Sequence, residues 1–150
     1  MELEKAFRIV GTVPTRQEVE FPLRGISLSE YLSHGIVKTV SPWIVRISER
    51  DEPYSGYRMG RIDASFSGLR IREALESLRL TECWRVPSIT ELVTLVVETQ
   101  VSTAPIVVLS AHDVDPSMRV PWAPYICGDL LGMWPVSHVL PGGSSVMFIR

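Results

Sequence analysis

The 150 residues carry 15 basic and 17 acidic side chains, a formal net charge of −2, with 45% apolar and 21% charged residues. That balance is the soluble globular average and excludes disorder and low complexity, while a chain of this length buries roughly 70% of its unfolded surface and folds without disulfide or metal staples. The near-neutral charge supplies no general attraction to nucleic acid or anionic lipid.

No uninterrupted apolar run approaches the ~18 residues of a membrane-spanning helix, and the acidic start MELEKAFRIV lacks the basic-then-apolar order of a signal peptide. The expectation is a cytoplasmic protein with no membrane association. Lys5 and Lys38 are the only lysines, so arginine carries nearly all the positive charge. Cys83 and Cys127 lack the paired spacing of a zinc site and read as two free thiols.

In chain order, KAFRIVGTV alternates as a strand and closes near Pro14. SLSEYLSHG predicts a short helix, with Ser27 and Glu30 at capping-box spacing and Gly35 as its stop. IVKTVSPWIVRIS reads as one or two strands around Pro42, and ERDEPYSGYRMGR as a surface loop. FSGLRIREALESLRL predicts a helix capped by Ser67, with Ile71, Leu75 and Leu78 on one face and Arg72 and Glu76 paired at i,i+4.

A second central helix opens at Ser88, where Glu91 completes another capping box and Pro87 blocks the preceding helix from running on. Leu92, Leu95 and Val96, widened by Val93 and Val97, make its inner face. From Pro105 onward the chain reads as β structure: PIVVLS, VPWAPYI and SVMFIR are strand candidates, kept short or at edges by the prolines at 116, 121, 124, 135 and 141. With no linker composition and no repeat, residues 1–150 form one α+β domain of two central helices on a loop-rich, mainly antiparallel sheet.

The stretch TECWRVPSITELVTLVVE carries a resemblance. A helix followed by W-R-x-P-[ST]-x-x-E-L at a helix cap, with a terminal strand ending in arginine, resembles the DUF1566 or Fibrobacter major-paralogous-domain type. It is also similar to the R-L-P-T-x-x-E-W segment of formylglycine-generating-enzyme-like domains. The matching residues are Trp84, Arg85, Pro87, Ser88, Glu91 and Leu92, with the preceding helix and SVMFIR. The resemblance implies a C-type-lectin-like fold, but the aromatic, serine-rich segment of those families is not recognisable here and no activity is carried over. Trp84 is expected to fill a joint between helices and sheet, and Arg85 to pair with a carboxylate or loop carbonyls; the alternative is that the two form an exposed ligand-binding pair.

Several constellations are candidates for function. His112, Asp113 and Asp115 follow PIVVLS in a strand-end loop and are of metal-ligating type, although three ligands within four residues rarely converge and a solvated turn is the simpler reading. Cys127 with His138 and Asp129 has the composition of a nucleophile, base and orienting group. PGGSS lacks the lysine and helix of a phosphate loop. Arg58, Arg61, Arg70, Arg72 and Arg79 lie among Tyr54, Tyr57 and Phe66, but Glu73, Glu76 and Glu82 interrupt them, which argues against nucleic acid.

Trp122, Tyr125, Met133 and Trp134 stand in a nearly uncharged segment and are the aromatic and methionine anchors that interfaces favour. The sequence-based reading is therefore a non-enzymatic binding or assembly module presenting these residues to a protein partner or to itself. No motif requires a cofactor. The alternative is a small enzyme using Cys127 and His138, or a metal at His112 and Asp113.

Overall fold

The computed structural model describes residues 16–35, 37–44, 55–78, 84–99, 104–114, 117 and 119–150. They form β1 (Arg16–Arg24), α1 (Leu28–Ser33), β2 (Thr39–Val40), β3 (Ser55–Asp63), α2 (Ile71–Ser77), α3 (Ile89–Thr99), β4 (Ile106–Val107), β5 (Trp122–Cys127), β6 (Leu130–Pro135) and β7 (Ser145–Ile149). All strands join one mixed sheet of order β1-β3-β7-β4-β5-β6-β2. The pairings are antiparallel except β4 with β7 and β2 with β6. No helix among the described residues is long and apolar enough to cross a membrane.

Helices cover both faces of the sheet, and β7 shows why. Its residues Val146, Met147, Phe148 and Ile149 are all buried, as a central strand requires when neither face is wet. Met147 and Ile149 join Phe21, Ile62, Ile126 and Leu131 in a core closed by Leu28 and Tyr31 of α1 and Leu92 and Leu95 of α3. Val146 and Phe148 join Val107, Ala123 and Leu140 in a second core closed by Ile71 and Ala74 of α2 and by Trp84.

The α1 prediction agrees with the structure: the Glu30 amide donates to Ser27 Oγ at 3.3 Å, and Gly35 follows at φ 72°. The second central helix likewise opens after Ser88. Its Thr94 hydroxyl donates to the Thr90 carbonyl at 2.7 Å and lies 3.0 Å from the Tyr31 hydroxyl, tying α3 to α1.

Other expectations are corrected. The segment read as a surface loop contains β3, which joins β1 to β7. Its core-facing side carries Gly60 where a branched residue would mark a strand, because Leu95 and Phe21 already fill the space a Cβ would occupy. β1 itself, with Val19, Phe21 and Leu23 alternating, and β6 were not anticipated.

Helix α2 starts at Ile71 rather than after Ser67. Its first amides donate to loop carbonyls instead, Ile71 to His138 at 3.0 Å and Arg72 to Val136 at 2.8 Å. Around Pro42 only Thr39–Val40 is a strand, and residues 42–44 are helical, with proline at the first helical position. The expected strand KAFRIVGTV, residues 45–48 of IVKTVSPWIVRIS, and Tyr54, Arg79, Cys83 and Asp115 lie outside the described residues.

Candidate functional site

The site is built on the corner that leads into α3. Arg85 exchanges both backbone hydrogen bonds with Ile149, each 2.8 Å, so the WRVP segment lies against β7. That contact sends Trp84 into the core beside α2 and Val86 against the core beneath α3. Arg85 then donates to Glu91 through both guanidinium nitrogens, at 2.9 and 2.8 Å.

Glu91 also accepts from the Ser88 amide at 2.9 Å, while its own amide donates to Ser88 Oγ at 3.1 Å, a complete capping box. Arg58 approaches the same carboxylate at 3.5 Å. Burial pushes the Glu91 carboxyl up, but the Arg85 and Ser88 hydrogen bonds more than offset it and hold the group below the usual carboxylate range.

Immediately beyond the corner a cleft of about 150 Å³ opens between Pro87, Ser88 and Ile89 on one side and Val108, Ser110, His112 and Pro124 on the other. Its second wall is the irregular continuation of β4. Val108 donates to Pro124 at 3.0 Å, and His112 exchanges both backbone hydrogen bonds with Trp122 at 2.9 Å. Ser110 Oγ and His112 Nε2 are 2.9 Å apart. Burial pushes the His112 imidazole below its ordinary value. In the neutral Nδ1–H tautomer, the ring accepts from the Ser110 hydroxyl.

No family model, curated protein or solved structure matches this chain.

The chemistry of the cleft follows from its lining. Pro87, Ile89, Val108 and Pro124 give it apolar walls, Ser88 adds a polar residue on one side and Ser110 with His112 a polar edge on the other, the usual composition of a small-molecule site. A hydroxyl bonded to a neutral imidazole is also the first half of a nucleophilic pair. Such a pair needs a third group to orient the imidazole, and among the described residues no carboxylate bonds to His112. Trp122, directly across the ladder from His112, has a buried indole Nε1 with no hydrogen-bond partner.

Of the metal-type residues, His112 is engaged with Ser110, Asp113 is exposed, and Asp115 lies outside the described residues. No group of three or more His, Cys, Asp or Glu side chains suited to a metal occurs among the described residues.

Cys127, His138 and Asp129 are not brought together. Cys127 pairs with Leu130 and Trp134 with Ala123, so about 13 Å of strand separates those rows, and His138 stacks on Trp134 at 4.5 Å. Asp129 lies in the exposed hairpin turn, its carbonyl accepting from the Lys38 and Thr39 amides at 2.8 and 3.2 Å. Cys127 instead neighbours Tyr125, whose phenol is pushed up by burial and by that thiol.

The four interface candidates divide. Met133 is only 7% exposed and belongs to the core beneath α3, which corrects its reading as a surface anchor: its side of β6 packs into that core. Trp122 is half-buried against the same core. Tyr125 and Trp134 stack at 3.8 Å on the opposite face, in a column with His138. The Tyr125 ring lies over Gly132, where an added Cβ would come within 2.9 Å of it.

Val108, Ser110, Ile89 and Pro124 were not singled out in sequence. The one available signal was Ser110-Ala-His112, whose period of two on an extended segment points both polar side chains the same way.

Proposed function

We propose that this chain is a binding module without chemistry of its own, and that its ligand site is the cleft at the start of α3. The observation that carries this reading is the Ser110–His112 pair, 2.9 Å apart, on the rim of a mostly apolar cavity. A void of roughly 150 Å³ is the size that holds a benzene ring. The ligand class is therefore a small flat molecule with one hydrogen-bonding group, for which phenol is the simplest probe. Phenol should raise the melting temperature of the protein, and Ser110→Ala should reduce that rise. A serine-directed fluorophosphonate that labelled Ser110 would replace this reading with a hydrolytic one.

A second reading keeps association through the aromatic column. It is supported by the half-buried Tyr125 and Trp134, with Val139 48% exposed beside His138. The occupant is a second copy of this chain or a protein partner. The C-type-lectin-like relationship is supported by the W-R-x-P-S-x-x-E-L corner and its closing strand, and by no other feature of the sheet.

A further inference from the structure

We propose that Arg61 and Arg150, gathered on Trp84, form an anion site for a phosphoryl group on the face of the sheet opposite the cleft. The Arg61 guanidinium lies 5.0 Å from the Trp84 ring and 5.2 Å from the Phe148 ring, and that of Arg150 lies 4.8 Å from Trp84. The register explains the gathering. Arg61 is directly opposite Phe148, Arg150 is two residues further along on the same face, and the Arg85–Ile149 bridge delivers Trp84 beside them.

The other partly or deeply engaged arginines are paired with acids: Arg16 with Asp63, Arg24 with Glu98, and Arg58 and Arg85 with Glu91. Arg61 and Arg150 have no such partner among the described residues. Arg61 Nε is buried with no hydrogen-bond partner, a state that is costly for any donor and more so for a charged group. The acid nearest along β3, Asp63, is already held by Arg16 at 3.3 Å and by the Ser65 amide and hydroxyl at 2.9 and 2.6 Å.

Two like charges beside one aromatic ring repel each other, and an anion lying between them offsets that repulsion. A phosphoryl group, carrying about −1.5 to −2 at pH 7, matches their combined charge better than a single carboxylate. Its oxygens also accept the paired N–H donors of a guanidinium. Trp84, only 8% exposed, holds the platform rigid.

Arg61 and Arg150 lie on the other side of the sheet from the cleft, so substituting them leaves the cleft untouched. Inorganic phosphate is titrated calorimetrically into the protein at constant ionic strength set with sodium chloride, with acetate as the carboxylate control. The expected result is a saturable one-to-one isotherm, weakened about tenfold or more by Arg61→Gln and by Arg150→Gln, as loss of a charge-assisted hydrogen bond implies. It should be unchanged in Arg72→Gln, on the exposed side of α2. Arg150→Gln, at an exposed position, reports even if Arg61→Gln fails to fold. Absence of saturable phosphate binding, unchanged affinity in Arg150→Gln, or acetate binding as tightly as phosphate would overturn the assignment.

Discussion

Arg85 grips Glu91 with two parallel hydrogen bonds of 2.9 and 2.8 Å, and the two ends of that pair live in different solvents. The Arg85 side chain is 53% exposed, that of Glu91 1%. The asymmetry decides what each substitution does. Arg85→Ala leaves a buried carboxylate with only Arg58 and Ser88 to balance it and should cost about 3 kcal/mol, the low end for a broken buried pair. Glu91→Gln leaves Arg85 in water and should cost less. Chemical denaturation of the two variants ranks them.

The same carboxylate sets an acid limit. Its folded value lies below the usual one, so the unfolded chain binds the proton first as pH falls. The stabilisation is complete above the ordinary carboxyl value and is lost as pH drops through the folded value. The stability gap between wild type and Glu91→Gln should therefore narrow below about pH 4. A gap that stayed constant would show that the carboxylate is not linked to folding.

Trp84→Ala removes the residue that joins α2, Phe148 and the arginine pair, and should cost about 3–5 kcal/mol, as large core truncations do. Ser88→Ala removes only the cap, about 1 kcal/mol. Equal denaturation midpoints for Trp84→Ala and wild type would place the indole outside the core.

Gly60 is a packing prediction. A methyl there meets Leu95 and lies 3.2 Å from the Phe21 ring, so Gly60→Ala should destabilise by about 1–3 kcal/mol through overpacking, although alanine is otherwise the better residue away from turns. Thermal denaturation gives the sign directly.

Association is tested at Trp134. Trp134 only edges the second core, so Trp134→Glu, checked for retained folding by circular dichroism, should reduce the mass measured by light scattering at high concentration if the aromatic column joins two copies. A wild-type protein that stays monomeric, with Trp134 shielded from a soluble quencher, assigns the column to the fold alone.

What the sequence made legible was local chemistry. Ser27 with Glu30, and Ser88 with Glu91, announce helix starts because capping acts over three residues and needs no tertiary partner. Trp84 and Arg85 could be placed for a related reason: a large indole and a forked cation beside a cap have few other uses. β3 was not legible because its core-facing glycine is explained only by Leu95 and Phe21, from distant parts of the chain.

Ser67 failed as a cap for the converse reason. It offered the right chemistry, but the carbonyls of 136 and 138 satisfied the first amides of α2. The cleft was half legible. The Ser110–His112 spacing was there to read, whereas the approach of Pro87 and Ile89 from the opposite wall is a product of the tertiary fold.

Ligand binding by the cleft through a neutral His112 is tested most directly by the NMR signal of the His112 ring followed against pH with and without phenol. Without ligand the ring should titrate below the ordinary histidine value, as burial requires. Phenol should depress that titration further, because it binds the neutral form, and should shift the signals of Ser110 and Ile89 in proportion to occupancy. A His112 titration at or above the ordinary value, or one that phenol leaves unmoved, would contradict the account.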